Sequence, residues 1–283
     1  MNDSIAIDDV RIPRFLYGTA WKEDDTERLT LLALRQGFRG IDTANQRKHY
    51  DEAAVGRAVS AVLNVGAIAR DDLFLQTKFT FRDGQDHRLP YDPAASIAEQ
   101  VEQSFASSLS HLGVDTIDSY LLHGPSTRAG LAQADWDAWR AMEAIHGSGR
   151  ARMLGVSNVS AEQLRILFAG ARVKPRVVQN RCYASRGWDR EVRSFCTANG
   201  IVYQGFSLLT ANRIALTHPD LTRIAARHGC GAGPVVFRFA LAIGMIALTG
   251  TTSAEHMRAD LNVYAFELEP AEIAAIEEVL SPR

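Results

Sequence analysis

Four side chains in this chain have the types needed to handle protons and charge around a reacting group. Asp42 closes the short apolar run Phe38–Asp42, Lys78 closes Leu73–Lys78, and His123 follows Ile117–Leu122. An ionised Asp beside a Lys is mutually stabilised, and the lysine's charge would lower the pKa of a nearby phenol. Tyr50, in the stretch after Asp42, can supply that phenol. Singly, each residue has a plain structural reading: Asp42 as a turn cap, Lys78 as a solvated strand end, His123 as a hydrogen-bonded core histidine. Together, at the ends of consecutive apolar runs, they describe an acid–base centre, provided the fold brings those ends to one place.

The elements that would do so are legible as alternation. Short apolar runs occur at Phe15–Gly18, Phe38–Asp42, Leu73–Lys78, Ile117–Leu122, Met153–Val156, Val177–Gln179, Ile201–Phe206 and Met245–Thr249. Between or after them lie stretches with helical spacing: Thr26–Arg35, Asp51–Leu63, Ser96–Leu112, Trp136–Ile145, Ser160–Phe168, Arg190–Ala198, Leu221–His228, Pro234–Ala242, Ala254–Asn262 and Pro270–Leu280. A strand-then-helix order implies parallel strands joined by right-handed crossovers. Eight units over 283 residues average about 35 residues each, the size of a (β/α)8 TIM barrel. One such domain spanning residues 1–283 is the expected organisation. An open doubly wound sheet is the rival, but no G-x-G-x-x-G is present; Gly229, Gly231 and Gly233 have the wrong spacing. The Walker A, H-E-x-x-H and G-x-S-x-G patterns are absent too. In a barrel the active site lies at the C-terminal strand ends. The other ends offer Gly18-Thr19-Ala20-Trp21, Ser157-Asn158, Gln179-Asn180, Phe206-Ser207 and Gly250-Thr251-Thr252.

Composition narrows the partners. Lys plus Arg is 31 against 33 Asp plus Glu, a net charge of -2. Such a balance argues against a nucleic-acid or anionic-membrane surface and leaves a small molecule as the expected partner. The three cysteines, Cys182, Cys196 and Cys230, have no C-x-x-C spacing, so neither a disulfide framework nor a zinc site is expected, and the cytoplasm is the default compartment. The stretch from Met1 to Arg11 has no basic residue before Arg11 and no apolar core, so the N-terminus does not read as a signal peptide. The apolar stretch from Gly233 to Gly250 is broken by Arg238 and reads as a helix and a buried strand rather than a membrane span.

Several separate motifs, in order, resemble those of the aldo-keto reductases. Gly37-Phe38-Arg39-Gly40-Ile41-Asp42-Thr43-Ala44, with Glu52 and Val55-Gly56, is similar to the family's first signature. Leu112-Gly113-Val114-Asp115 leading to Tyr120-Leu121-Leu122-His123 resembles its fourth-strand region, and Gly149-Arg150-Ala151-Arg152 with Leu154-Gly155-Val156-Ser157-Asn158 its fifth. Gly250-Thr251-Thr252 through His256, Asp260 and Leu261 resembles its C-terminal cofactor segment. The resemblance implies a reversible, nicotinamide-dependent carbonyl reduction with the tetrad Asp42, Tyr50, Lys78 and His123. Tyr50 would be the general acid, Lys78 paired with Asp42 would tune it, and His123 would orient the carbonyl. It also implies a cofactor held by Gly18, Thr19, Ser157, Asn158, Gln179, Phe206, Ser207, Leu209, Gly250, Thr251, Thr252, His256 and Asp260. Phe206 would stack on the nicotinamide, while Ser157, Asn158 and Gln179 would meet its carboxamide.

Two departures from the pattern matter. The spacer between Asp42 and Tyr50 is longer than the family's, and counting back from Glu52 puts His49 at the tyrosine position; Tyr50 is the only phenol in that loop and is the expected donor. The family's NADPH-preferring members often have a lysine where Gly250 stands and an arginine where His256 stands, and their loss removes charge-assisted contacts to the 2′-phosphate. NADP(H) is expected ahead of NAD(H) on family habit alone, with Lys22 and Arg258 as nearby compensating cations. The expected substrate wall is Trp21, His49, Phe79, Tyr91 and Trp188, suited to a small or medium carbonyl compound. The loop from Thr80 to Tyr91 carries Arg82, His87 and Arg88 and either closes over an acidic or polyhydroxylated substrate or is a solvated surface loop. A monomer is the family's commonest state. The competing readings are a non-catalytic nicotinamide-binding regulatory module of the same fold, and a barrel hydrolase or isomerase, which would need a metal cluster or paired carboxylates at the mouth.

Overall fold

A computed structural model describes residues 4–280 of the chain. Two short strands, β1 (Ser4–Ile7) and β2 (Val10–Pro13), form an antiparallel hairpin. Eight parallel strands follow: β3 (Phe15–Gly18), β4 (Gly40–Asp42), β5 (Phe74–Phe79), β6 (Ile117–Leu122), β7 (Ala151–Ser157), β8 (Val177–Arg181), β9 (Val202–Phe206) and β10 (Ile246–Thr249). They pair in sequence order, and β10 pairs with both β9 and β3, so the sheet closes into a barrel. The expected (β/α)8 TIM barrel is what the chain forms. Strands β3 and β6 have the bounds read from the sequence; the others differ by one or two residues at an end.

The helices are α1 (Thr26–Gln36), α2 (Glu52–Asn64), α3 (Ile97–Leu112), α4 (Gln133–Gly147), α5 (Ala161–Gly170), α6 (Arg190–Ala198), α7 (Arg213–Leu216), α8 (Pro219–Arg227), α9 (Ala232–Ala242), α10 (Ala254–Leu261) and α11 (Pro270–Glu278). Their starts follow cap chemistry. Asp51 accepts from the Ala54 amide at the head of α2, and Ser96–Glu99 and Ser160–Gln163 form reciprocal capping boxes at α3 and α5. Gly37 ends α1 at φ 112°, a left-handed conformation that glycine adopts without steric penalty. Gly56 has a different reason: a Cβ there would lie 1.8 Å from the His111 carbonyl oxygen, so only glycine lets α2 and α3 approach this closely.

Two apolar cores result. The larger lies between the strands' outer faces and the helices and includes Phe15, Phe79, Phe105, Trp139 and Trp188. The smaller fills the lower barrel with Leu16, Phe74, Met153, Val177, Val202 and Ile246, and is closed from below by Val10 and Ile12 of the hairpin. Above this apolar floor the interior turns polar, and the acid–base residues stand there.

Candidate active site

Asp42 ends β4, and its carboxylate turns into the barrel. One of its oxygens, Oδ1, accepts three hydrogen bonds: from Lys78 Nζ at 2.7 Å, Gln76 Nε2 at 2.7 Å and Gln179 Nε2 at 2.9 Å. Lys78 also donates to the Thr43 carbonyl at 2.7 Å. Gln76 and Lys78 sit two apart on β5, so the strand's two-residue period puts both inside. Gln204, from β9, accepts from Gln76 and Gln179 at 2.8 and 2.9 Å and returns a bond to Gln76 at 3.0 Å. All five residues are buried. Burial lowers the Lys78 ammonium's pKa, and the Asp42 charge and hydrogen bond work against that shift.

Tyr50 reaches this pair from the loop after β4. The Lys78 ammonium lies 5.7 Å from the centre of its ring, and the His123 ring packs edge-on at 6.0 Å. His49, the other residue at this turn, lies against Trp21 with ring centres 3.8 Å apart. Of the two, Tyr50 stands beside Lys78 and His123. The loop is held in several places. Trp21's amide donates to the His49 carbonyl at 2.7 Å, Gln46 to Gly84 at 2.7 Å, Gln85 to Asn45 at 2.8 Å and Asn45 to Ser104 at 2.9 Å. The phenol's pKa is raised rather than lowered, by burial first and then by the Asp42 charge. This reverses the shift expected from Lys78: the ammonium is paired to Asp42, and the cost of burying a phenolate dominates. Tyr50 therefore holds its proton in the free protein.

His123 follows β6. Its amide donates to Phe79 at 2.8 Å, its carbonyl accepts from Asn158 Nδ2 at 2.8 Å, and its Nδ1 shares a 2.6 Å hydrogen bond with the Thr80 hydroxyl. Burial and the Lys78 charge push its pKa down to about 3. It is thus a neutral imidazole fixed through one nitrogen, with Nε2 left to meet a ligand.

These groups open into a cavity of about 550 Å³ at the C-terminal strand ends. Asp42, Tyr50 and His123 are on its wall, with Lys78 directly behind Asp42. Ten of the thirteen residues expected around a cofactor line it: Gly18, Ser157, Asn158, Gln179, Phe206, Ser207, Leu209, Gly250, Thr251 and His256. Ser157 donates to the Gln179 carbonyl at 2.7 Å, and Asn158 to Ser157 Oγ at 3.1 Å. Asn158, Ser207 and Trp21 take positive φ values of 52°, 56° and 61°. Such values are uncommon for residues with a side chain and cluster at binding sites.

Three expected cofactor residues lie off the cavity. Thr19 is buried with amide and hydroxyl both bonded to the Asp42 carbonyl, Thr252 points to solvent, and Asp260 lies behind β10 and accepts from the Thr249 hydroxyl at 2.7 Å. The substrate wall also needs correction. Trp21 and His49 line the cavity, but Phe79, Tyr91 and Trp188 belong to the outer core. Phe79 is the residue after inward-facing Lys78, so it must face out, where it packs on Phe81 and Tyr91. Tyr91 donates to the Thr80 carbonyl, and Trp188 to that of Ile276. Lys22 lines the cavity and donates to the Gly250 carbonyl, whereas Arg258 hydrogen-bonds Gln36 on the surface. Sequence reading passed over Gln76, Gln204, Thr80 and Arg181. The first two carried a signal: an amide inside an otherwise apolar strand.

Among the described residues no cluster of His, Cys, Asp or Glu has metal-holding geometry, and no helix is long and apolar enough to cross a membrane. The three cysteines are free thiols.

With this geometry in place, comparison with known proteins fixes the class. The Aldo/keto reductase family profile matches residues 16–281. The chain belongs to that family of oxidoreductases. An aldo-keto reductase of Mycobacterium marinum is 33% identical over 275 residues, covering 96% of this chain and 90% of that protein. An uncharacterised oxidoreductase of Bacillus subtilis, YtbE, is 29% identical over 270 residues, covering 95% and 89%. Among solved structures, an aldo/keto reductase from Brucella melitensis superposes with a TM-score of 0.82 at 26% identity, covering 98% of each chain. A Bombyx mori aldo-keto reductase in complex with NADP gives 0.82 at 23% identity, covering 98% of this chain and 92% of that one.

Proposed function

We propose that this chain reduces an aldehyde or ketone to the alcohol, reversibly, at the cavity described above, as a soluble monomeric enzyme built on one barrel domain. The observation that carries the reading is the setting of Tyr50 between Lys78 and His123, at 5.7 and 6.0 Å, on the cavity wall.

The residues present suit a nicotinamide dinucleotide. Asn158's side chain, the Ser157 hydroxyl and the Gln179 side-chain oxygen Oε1 offer the mixed donors and acceptors a carboxamide needs. Phe206 gives the aromatic face for the ring. Ser207, Leu209, Gly250, Thr251 and His256 extend the wall toward the dinucleotide's other half. When bound, the cofactor supplies the hydride for the carbonyl carbon. We favour NADP(H) over NAD(H), with Lys22, which lines the wall and donates to the Gly250 carbonyl, as the cation for the 2′-phosphate.

The protein's own groups handle the proton and the charge. His123, neutral and tethered through Nδ1, donates from Nε2 to the carbonyl oxygen and fixes its position. Tyr50 gives its proton to the same oxygen as negative charge develops there, and the Lys78 ammonium stabilises the phenolate left behind. Asp42 keeps Lys78 charged in the dry interior and fixes its direction. In the alcohol direction the same atoms run in reverse.

The test follows consumption of NADPH and NADH by their near-ultraviolet absorbance with a panel of aldehydes, for native protein and Tyr50→Phe. Turnover that depends on Tyr50 supports the reading. Undiminished turnover in Tyr50→Phe removes Tyr50 from its role. Quenched cofactor fluorescence without any turnover identifies a regulatory binding module instead.

A further inference from the structure

A second cleft, of about 660 Å³, runs beside the active cavity, and the two share Asn158, Arg181 and Phe206 as a common wall. Arg181 ends β8, and its guanidinium lies 5.6 Å from the centre of the Phe206 ring. Arg128, from the loop after β6, and Arg186, from the loop after β8, line the same cleft. Among the described residues none of these three arginines is in an ion pair. Most other arginines on this surface are. Arg88, one of the cations that the sequence suggested for anion recognition, is closed onto Asp86, and Arg82 lines neither cleft.

Two carboxylates also face the cleft. Glu191 is paired at 2.8 Å with Arg165, which stands outside it. Asp189 accepts from Asn180 at 2.9 Å and from the Tyr203 hydroxyl at 2.8 Å. With Glu191 offset, three guanidinium groups face one carboxylate. Ser160 and Ala161, at the head of α5, reach the same cleft, so the positive end of that helix adds to the field. A cleft of this sign beside a reaction chamber attracts anions.

We propose that the second cleft is an oxyanion subsite for the carbonyl substrate: it takes a carboxylate or phosphate borne by the molecule being reduced, with Arg181 as the first contact and Arg128 and Arg186 supporting it. This rests on the reductase reading above and names its substrate class as an anionic aldehyde or ketone. Guanidinium suits the task, since its fork matches both oxyanions.

Three aldehydes of one skeleton test it: benzaldehyde, 4-carboxybenzaldehyde and 4-formylphenyl phosphate. For native protein kcat/KM is expected to be higher for one or both anionic aldehydes, and which one tells carboxylate from phosphate. In Arg181→Gln the anionic-to-neutral ratio of kcat/KM is expected to fall about tenfold, and further in Arg181→Gln/Arg186→Gln, mostly through KM. An unchanged ratio overturns the subsite. Calorimetric titration with benzene-1,4-dicarboxylate and with phenyl phosphate gives a readout without turnover. Native protein is expected to bind at least one of them about tenfold more tightly than Arg181→Gln. Equal affinity, or no binding to native protein, overturns the subsite. Arginine-dependent binding without aldehyde turnover would leave the subsite standing and sink the reductase reading.

Discussion

Lys78 and Asp42 form an ion pair of 2.7 Å inside the barrel, with side chains 1% and 5% exposed. Neither charge has water to turn to if the other is removed. Lys78→Met and Asp42→Asn are each expected to destabilise the fold by about 3–5 kcal/mol and to reduce turnover more than a hundredfold. The double variant should be more stable than the sum of the single losses implies, and should remain inactive. Thermal unfolding of all four proteins, beside their turnover, checks this. Additive stability losses would show that the pair is not energetically coupled.

Tyr50 and His49 compete for the same role in sequence and are separated in space. Tyr50→Phe is expected to lower kcat by about 10²–10⁴ with cofactor affinity unchanged. His49→Ala should change KM more than kcat, because His49 lies against Trp21 at the mouth. Steady-state kinetics on both variants, with fluorescence titration of the cofactor, separates the two; a larger kcat loss for His49→Ala would reverse the assignment.

Gln204 joins the amide of the cavity-lining Gln179 to Gln76, and so to Asp42. Gln204→Leu strands the donors and acceptors that now meet it. A loss of roughly 1–3 kcal/mol in unfolding free energy is expected, with a fall in kcat that the conservative Gln204→Glu does not cure, since it puts a second carboxylate beside Asp42. Denaturant titration and kcat together test this; unaltered stability in Gln204→Leu would mean that the amide ring carries little.

Asp260 is buried behind β10, and burial raises its pKa to about 6. A raised carboxyl pKa means that the folded chain binds more protons than the unfolded chain between pH 4 and 6. Stability is therefore lost as pH rises through that window. Asp260→Asn is expected to remove the loss and to gain on the order of 2 kcal/mol near neutral pH relative to pH 4. His123, held neutral with a pKa of about 3, has the opposite sign: its contribution is lost as pH falls from the ordinary histidine value through 3. Unfolding curves across pH for Asp260→Asn and His123→Gln check both directions.

The position of His256 on the cavity wall bears on cofactor choice. His256→Arg is expected to improve the NADPH-to-NADH affinity ratio about tenfold, by one charge-assisted contact to the 2′-phosphate. Titration with both cofactors measures it, and equal gains for the two would place that phosphate elsewhere.

The barrel was readable because parallel strands buried on both faces appear as short apolar runs, and Ile117–Leu122 is the clearest of them. The meeting of Asp42, Tyr50, Lys78 and His123 followed, since strand ends share one rim. The hairpin Ser4–Pro13 was not readable: its strands have four residues each, around the acidic turn Asp8-Asp9. Nor was the substrate wall. Phe79, Tyr91 and Trp188 looked like mouth aromatics from their position after strands, but strand alternation and tertiary packing took them outward. Gln76 shows the converse error. It shares Lys78's face, and two polar residues spaced by two in a buried strand mark an interior that is not uniformly apolar.

Val10 and Ile12 stopper the barrel from below. Among the described residues, a barrel stoppered at one end opens at the other. Anything that enters or leaves the cavity passes the rim where Trp21 stands two-thirds exposed, so whatever lodges at that rim acts on all such traffic at once.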